Sequence, residues 1–479
     1  MTSNNLKVSR YNVVIQLSEN RYILYNTLRN TVILLDREAL DILQNENFEK
    51  MPNDILQKAI NTGIIIDKNL DELNVIKVLR KMNFGKKFIH PYISLTLLMT
   101  YSCNLACPYC YEGNRKHLGG ILTPKKIDVV LSFVRNYKLD AHMKPRVAVS
   151  FYGGEPLLNW KGCKYTLEQL EEMKDSGEIR EYSASFTTNG TLITDEVIGY
   201  TNEYNVTSMQ ITLDGPKDIH DKRRIKINGE GTFDEIIENA KRIKENITKN
   251  TFYLNFRINI DKTNYKRIPE LLEYLKNEKL NDNFVSFGVV KGDAPYSCHS
   301  HDIFLVGNDL PEVLPYLWRE AYKRGFHIRT RPNIRFSYCM YENPFSYLID
   351  PKLDVYPCWE MVGIHKYRIG RIKEDGTFEP TSFYYDTKAR EPTEFKECKN
   401  CNFLPICMGG CAAESIRKNG HPNGPGCDIT RYVWNEGLKF YLAKRYPQFF
   451  KKEELTEILG QIPQNQVMEF KLKYGEGMK

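Results

Sequence analysis

Several things are missing from this chain, and each absence narrows what it does. No run of about 18 apolar residues occurs, so nothing reads as a membrane-crossing helix. The opening "MTSNNLKVSR" has no apolar centre of the signal-peptide kind, which points to a cytoplasmic, reducing setting. Charge of one sign is also lacking: 67 Lys and Arg stand against 60 Asp and Glu, spread along the chain. A net +7 distributed that way reads as a solvated surface, with no nucleic acid and no membrane as partner.

What is present in quantity is cysteine, 12 in 479 residues. In a reducing compartment these are not expected as disulfides. Three fall at Cys103, Cys107 and Cys110, and seven between Cys339 and Cys427. Cys163 and Cys298 stand alone, and Cys163 reads as a small buried apolar residue.

At this length one compact core is too small, and several domains are expected. Residues 1–88 read as a winged-helix-like module. "YNVVIQL" and "RYILYNTLRNTVILL" alternate as strands around turns at Ser18 to Asn20 and Asn26 to Asn30. Asp36 is placed to cap "REALDILQ", "NDILQKAINTG" closes at Gly63, and "IIID" follows as a short strand. With no cluster of Cys, His and acids, this module is expected to bind rather than catalyse.

After a charged helical connector, "YISLTLLMT" reads as a buried parallel strand. Strand-like segments recur at "RVAVSFYG", "YSASFTTNG", "VTSMQITLDG", "FYLNFRINID" and "NFVSFGVV", with helical stretches between them. This βα alternation predicts an α/β fold, a partial (β/α)6 TIM barrel over 89–330. A cysteine-rich domain over 331–430 and a helical tail over 431–479 would follow.

In such folds the loops after the strands carry the chemistry, and the suggestive residues fall there. Cys103, Cys107 and Cys110 follow the first strand. A closed structural zinc site takes four ligands, and no fourth lies near. A 4Fe–4S cluster on three thiolates keeps one iron open. The spacing C-x3-C-x-Tyr109-C resembles the radical S-adenosylmethionine (radical SAM) superfamily. The resemblance implies that the open iron is chelated by the methionine part of S-adenosyl-L-methionine, whose reductive cleavage gives a 5′-deoxyadenosyl radical. It also implies a one-electron donor such as flavodoxin or ferredoxin.

Further matches follow in strand order. "FYGGEPLL" supplies Gly153 and Gly154, which let backbone approach a ligand, and Glu155 for the cofactor ammonium. "TTNG" places Asn189 at the mouth. "TLDGPKDIHDKRR" supplies Thr212, Asp214 and Arg224, whose guanidinium is suited to the cofactor carboxylate. Val285 matches an apolar backbone contact to adenine.

The seven later thiols resemble the SPASM extension of these enzymes, which holds two auxiliary 4Fe–4S clusters, three clusters in all. The resemblance assigns Cys398, Cys401, Cys407 and Cys427 to one, and Cys339, Cys358 and Cys411 to the other. The latter is left either with Cys298 as fourth ligand or with an open iron for a substrate thiolate. Paired cysteines also suit zinc ribbons. "DPKLDVYPC" has Leu353 where the family pattern has glycine, so a looser turn is expected there. His299 and His301 read as surface residues.

SPASM relatives mostly modify peptides or proteins, and the first module is similar to the PqqD-type element that takes a leader peptide as an added strand. The expected activity is therefore a radical SAM oxidoreductase, a maturase that installs a cysteine thioether in a ribosomally made (RiPP) precursor. Carbon–carbon or carbon–oxygen crosslinking remains open, as does formylglycine formation in a sulfatase. Sulfatase maturases carry an acid directly after the cysteine equivalent to Cys358, where this chain has Trp359. From another class, a metal-binding peptide-binding protein without turnover fits the same thiols.

Overall fold

A computed structural model describes residues 5–137, 144–291, 303–305, 307–427 and 429–461. Cys298, His299 and His301 lie outside the described residues. The chain begins with β1 (Leu6–Val8), then an antiparallel sheet of β2 (Asn12–Ser18), β3 (Arg21–Asn26) and β4 (Thr31–Leu35). The helix Arg37–Gln44 starts where Asp36 Oδ1 accepts from Ala39 N at 2.8 Å. The helix Asn53–Asn61 ends before Gly63, whose φ of 75° is the left-handed conformation that glycine tolerates. β5 (Ile65–Asp67) then returns to pair with β1.

β3 is buried on both faces because its side chains alternate between two cores. Tyr22 and Leu24 pack with Leu40, Leu43 and Phe48 inside the module. Ile23 and Tyr25 turn the other way and join the main core of the molecule.

The helix Glu72–Ile89 leads to six strands, β6 (Tyr92–Leu98), β7 (Arg146–Tyr152), β8 (Glu181–Thr188), β9 (Val206–Thr212), β10 (Tyr253–Ile260) and β11 (Phe284–Val289). All six pair in parallel in sequence order, with helices such as Trp160–Asp175 and Phe233–Asn246 in the crossovers. The sheet is apolar on one face only. Val147, Val149 and Phe151 of β7 and Leu254, Phe256 and Ile258 of β10 are buried under the helices. The other face carries small and polar residues in register, Thr96 beside Ser150 beside Ser185, and Thr212 beside Arg257 beside Ser286. Side chains there bond across strands, as Asn255 Nδ2 does to Gln210 Oε1 (3.1 Å) and Ser286 Oγ (3.0 Å). β6 is the buried parallel strand expected, with Ile93, Leu95 and Leu97 in the core and Thr96 buried on the polar face.

The cysteine-rich segment prolongs this sheet. β12 (Ser346–Ile349) pairs in parallel with β6, and β13 (Asp354–Tyr356), β14 (Gly370–Ile372) and β15 (Phe378–Pro380) extend it antiparallel to ten strands. The β12–β13 turn is not loosened by Leu353. That residue adopts a φ of 63°, and its N–H donates to Asp350 O at 2.9 Å. The left-handed conformation costs a non-glycine residue roughly 1–2 kcal/mol. Asp350 Oδ1 offsets part of it by accepting from Lys352 N (2.8 Å) and Asp354 N (3.0 Å).

The first module packs on the cysteine-rich segment, with Tyr11, Leu28 and Ile76 against Phe395, Cys398, Leu404 and Met408. Thr27 Oγ1 donates to Asn402 O at 2.6 Å. The tail is equally integrated: the helix Ile429–Arg445 lies against the helix Leu310–Lys323, and Arg21 pairs with Glu454 at 2.6 Å. Among the described residues no helix is long and apolar enough to cross a membrane.

Candidate active site and thiol groups

Cys103, Cys107 and Cys110 occupy the loop that leaves β6. This loop is tied on both sides. From β7, Gly154 N donates to Thr100 O (3.0 Å) and Glu155 N to Ser102 O (2.9 Å). From the segment after β9, Ala106 N donates to Ile225 O (2.7 Å) and Ile227 N to Asn104 O (3.1 Å). The two glycines are needed for this closeness: a Cβ on Gly153 would sit 2.4 Å from Thr100 O, and one on Gly154 2.2 Å from Ser102 O. What they admit is the cysteine loop itself. Burial pushes the Cys110 thiol up to about 11, helped by Glu112 and Cys107, so binding a metal there releases a proton.

Glu155 is fully buried, and its carboxylate accepts from Leu157 N (3.0 Å), Thr188 Oγ1 (2.8 Å) and Asn189 N (2.7 Å). A carboxylate has about four acceptor positions, so one is left. Asn189 lies behind the cysteine loop, donating to Asn104 Oδ1 at 2.8 Å and, more weakly, to Cys103 Sγ at 3.9 Å. Its own Oδ1 is fixed by Thr191 N at 2.9 Å.

Tyr109 binds the loop to the ends of β9 and β10. Its hydroxyl donates to Asp214 Oδ2 and accepts from Arg224 Nη1 (2.9 Å) and Asn259 Nδ2 (3.3 Å). Burial, with the Asp214 carboxylate adding to it, raises the phenol well above its ordinary pKa and keeps it a donor. Arg223 pairs with Asp261 at 2.5 Å. Behind them runs a neutral relay. Asp214 N–H donates to His220 Nδ1 (3.3 Å), whose Nε2–H faces Thr232 Oγ1 (3.1 Å), which donates to Arg224 O (2.6 Å). Burial depresses His220 to about 3, so the ring is neutral and the relay has one direction.

Arg224 Nε is buried without a hydrogen-bond partner, while Nη1 is held by Tyr109 and the guanidinium lies near Cys107. An orphaned donor on a guanidinium beside the three thiols fits the carboxylate of a small ligand on the open iron of a cluster. Thr212 ends β9 beside Arg257. Val285 is in the core, with its N–H donated to His327 O at 3.0 Å, so its side chain does not face the mouth; Ser286 and Gly288 lie on that side of β11. His220, Thr232, Asn259, Asp261 and Arg257 were not singled out from sequence. The available signal was the polar alternation of "NFRINID" along β10.

The later thiols form two groups. Cys358 is raised by burial and then by Glu360, Cys339 and Cys411. Cys339 keeps an exposed surface, yet the chain packed around its sulfur, with Cys411 beyond, holds it at about 12. Cys398 is pushed up to about 12 by burial and then by Cys407, Cys427 and Cys401. The groups touch through backbone, since Cys411 N donates to Gly426 O at 3.1 Å. Among the described residues no three Cys, His or acidic side chains converge on a single ion, and every described cysteine is free of a disulfide. Cubane ligands sit on different irons and need no such convergence.

Between the Cys103–Cys110 loop and the first of these groups stand aromatic rings. Tyr152 packs on Trp359 at 4.1 Å between centroids, and its hydroxyl meets that of Tyr111. Arg115 ties the two regions, donating to Trp359 O (3.0 Å) and Glu360 O (2.7 Å). A cavity of about 450 Å³, lined in part by Lys244, Lys249, Asp282 and His327, lies at the opposite, amino ends of β10 and β11.

The sheet thus carries three thiols after the first of its six parallel strands and a carboxylate-ready arginine after the fourth. Residues 97–275 match the model of the Radical SAM superfamily. The cysteine-type anaerobic sulfatase-maturating enzyme of Clostridium novyi is 27% identical over 388 residues, 73% of this chain and 95% of that protein. Among solved structures, anSMEcpe with bound AdoMet and Cp18Cys peptide superposes with a TM-score of 0.56 at 20% identity, covering 75% of this chain and 98% of that one. Streptococcus suis SuiB bound to precursor peptide SuiA superposes with a TM-score of 0.52 at 18% identity, covering 88% of this chain and 99% of that one.

Proposed function

We propose that this protein is a radical SAM maturase of a ribosomally made peptide, closing a thioether between a cysteine sulfur and a carbon of the same chain. The observation that carries this reading is the meeting, at one sheet end, of Cys103, Cys107 and Cys110 with the orphaned Nε of Arg224. When bound, the cluster and S-adenosylmethionine supply a radical that removes a carbon-bound hydrogen. Arg224 holds the cofactor carboxylate, and the remaining acceptor position of Glu155 takes its ammonium. Tyr109, Asp214, Asn189 and Thr212 shape the rest of the seat. The six parallel strands would be a partial barrel whose polar face is the reaction chamber. Cys398, Cys401, Cys407 and Cys427 would hold one auxiliary cluster, and Cys339, Cys358 and Cys411 another.

Thioether closure removes two hydrogens from the peptide. One leaves as an atom, the other as a proton and an electron, and a redox group near the mouth must accept that electron. The auxiliary clusters that the thiols beyond β11 would hold could supply that acceptor. With three thiols in that group, one position would be open for a substrate thiolate to enter. Residues 1–88 take the leader as an added strand on the β2–β3–β4 sheet, whose two edges are β2 and β4. The fold likeness to SuiB supports this, because residues 89–479 are only about four-fifths of the chain and the 88% match therefore reaches into the first module.

One specific observation favours formylglycine formation instead, the likeness to 95% of the Clostridium novyi maturase. Against it stands Trp359 in place of an acid after Cys358. The test uses anaerobically reconstituted protein and its C103A/C107A/C110A variant. About twelve irons falling to about eight, with loss of 5′-deoxyadenosine formation on reduction, supports three clusters with one at the radical site. Zinc in place of iron leaves the reading of a non-catalytic peptide-binding protein. Cysteine peptides then divide the chemistries: a thioether consumes an alkylatable thiol with loss of two hydrogens, while formylglycine gives a hydrazine-reactive aldehyde.

A further inference from the structure

Three arginines approach the mouth of the sheet, and the structure gives two of them partners. Arg223 has Asp261 and Arg224 has Tyr109. Arg257 differs. Its one hydrogen bond among the described residues runs from Nε to Asn259 Oδ1 at 3.2 Å, and no carboxylate pairs with it. Both terminal nitrogens are left without a described partner.

Its placement is built into the fold. The alternation of β10 sends Leu254, Phe256, Ile258 and Ile260 into the helix-side core and Arg257 to the polar face, in register with Thr212. The guanidinium lies across β11 at Gly288, where a Cβ would come within 1.8 Å of Nη2. Any side chain at 288 would therefore push it out of place. Around it stand Asp214, Tyr152 and Tyr109, and the Asp214 charge does not offset burial, which lowers the guanidinium pKa. Tyr152 is the ring that packs on Trp359, so Arg257 is linked to the side of the mouth that leads to the Cys339, Cys358 and Cys411 group.

We propose that Arg257 anchors a carboxylate of the peptide segment presented to the radical site, so that the substrate carries an acidic side chain beside the residue that reacts. This rests on the peptide-maturase reading above. The cofactor carboxylate is already provided for by Arg224, which lies against Cys107. A phosphate is disfavoured because Asp214 lies close by and repels a doubly charged anion more than a carboxylate. A guanidinium fork pairs with a carboxylate through two parallel hydrogen bonds, which fixes both register and orientation of an extended peptide.

The experiment titrates two probes, acetyl-Cys-Asp-Gly-amide and acetyl-Cys-Asn-Gly-amide, into the full-length, S-adenosylmethionine-bound protein by calorimetry. The wild type should bind the aspartyl probe at least about tenfold more tightly than the asparaginyl one, the scale of a charge-assisted pair. R257Q should erase that ratio, and R257K should restore only part of it. G288A keeps the charge and displaces only the flexible end of Arg257, so it too should collapse the ratio. Affinity for S-adenosylmethionine should move less than about twofold in any of the three variants. Equal binding of the two probes by the wild type, or no binding of the aspartyl probe up to its solubility, overturns the proposal. So does a large loss of S-adenosylmethionine affinity in R257Q, which would give Arg257 to the cofactor. The parent reading fails separately, through absence of 5′-deoxyadenosine from the reduced wild-type protein.

Discussion

At the scale of single residues, the mouth works by fixing protons as much as by placing charges. His220 illustrates this, since burial holds it near 3 in the fold against about 6.5 in an unfolded chain. A depressed histidine contributes stability that is complete above the unfolded pKa and is lost as pH falls towards the folded one. Between about pH 6.5 and 3 the unfolded chain binds one more proton at this site, so stability should fall by about 1.4 kcal/mol per pH unit on its account. Urea unfolding at pH 7 and pH 5 checks this. His220→Gln, which preserves an acceptor for Asp214 N–H and a donor to Thr232, should lose about 2 kcal/mol less over that interval than wild type. Tyr109→Phe removes the acceptor for Arg224 Nη1 and the donor to Asp214. S-adenosylmethionine should then bind about tenfold more weakly by equilibrium dialysis, with an unchanged circular dichroism spectrum.

At the scale of elements, the cysteine loop is shaped by its neighbours' lack of side chains. Gly154→Ala would drive a Cβ to 2.2 Å from Ser102 O, a backbone atom that cannot swing aside. The variant should fold but lose about four irons per chain, those of the radical site. Gly199→Ala is the control, an exposed position in the helix Asp195–Glu203 with nothing within 4 Å of the new Cβ. It should keep all its iron and gain about 0.5–1 kcal/mol. Leu353 marks the limit of reading elements from sequence. A leucine where a glycine is usual implies a relaxed turn, yet the Asp350 carboxylate and the β12–β13 pairing impose φ 63°. Leu353→Gly should stay within about 1 kcal/mol of wild type, because relief of strain is offset by unfolded-chain entropy and lost packing. Leu353→Val, β-branched in a left-handed position, should unfold several degrees lower in thermal scans.

At the scale of the whole molecule, the legible part was what repeats along the chain and the illegible part was what crosses it. Alternation exposed the six parallel strands, whereas the sorting of the later thiols came from family resemblance and not from the spacing itself. Nothing in the local sequence of "NVIKVLRKMN" shows that Arg80 reaches across 262 positions to Glu342, at 3.4 Å, and donates to Arg390 O at 2.9 Å. Glu342 also pairs with Arg390, whose side chain is wholly buried and whose remaining donors reach Pro422 O (2.9 Å), Gly409 O (3.0 Å) and Gly424 O (3.1 Å). One carboxylate thus joins the connector helix of the first module to the loops that carry Cys411 and Cys427. Replacing it leaves Arg390 buried with carbonyls alone, while Arg80 keeps Glu391 at 2.5 Å; breaking a buried pair in this way costs roughly 3–5 kcal/mol. Glu342→Gln should therefore lower the urea midpoint, raise trypsin cleavage within Glu72–Ile89, and reduce iron in the Cys398 group while the radical-site cluster stays loaded. Loss of stability with full iron and unchanged cleavage would instead make the network a local brace of the cysteine-rich segment, with the first module held by apolar packing through Tyr11, Leu28 and Ile76 and by the Thr27–Asn402 and Arg21–Glu454 contacts.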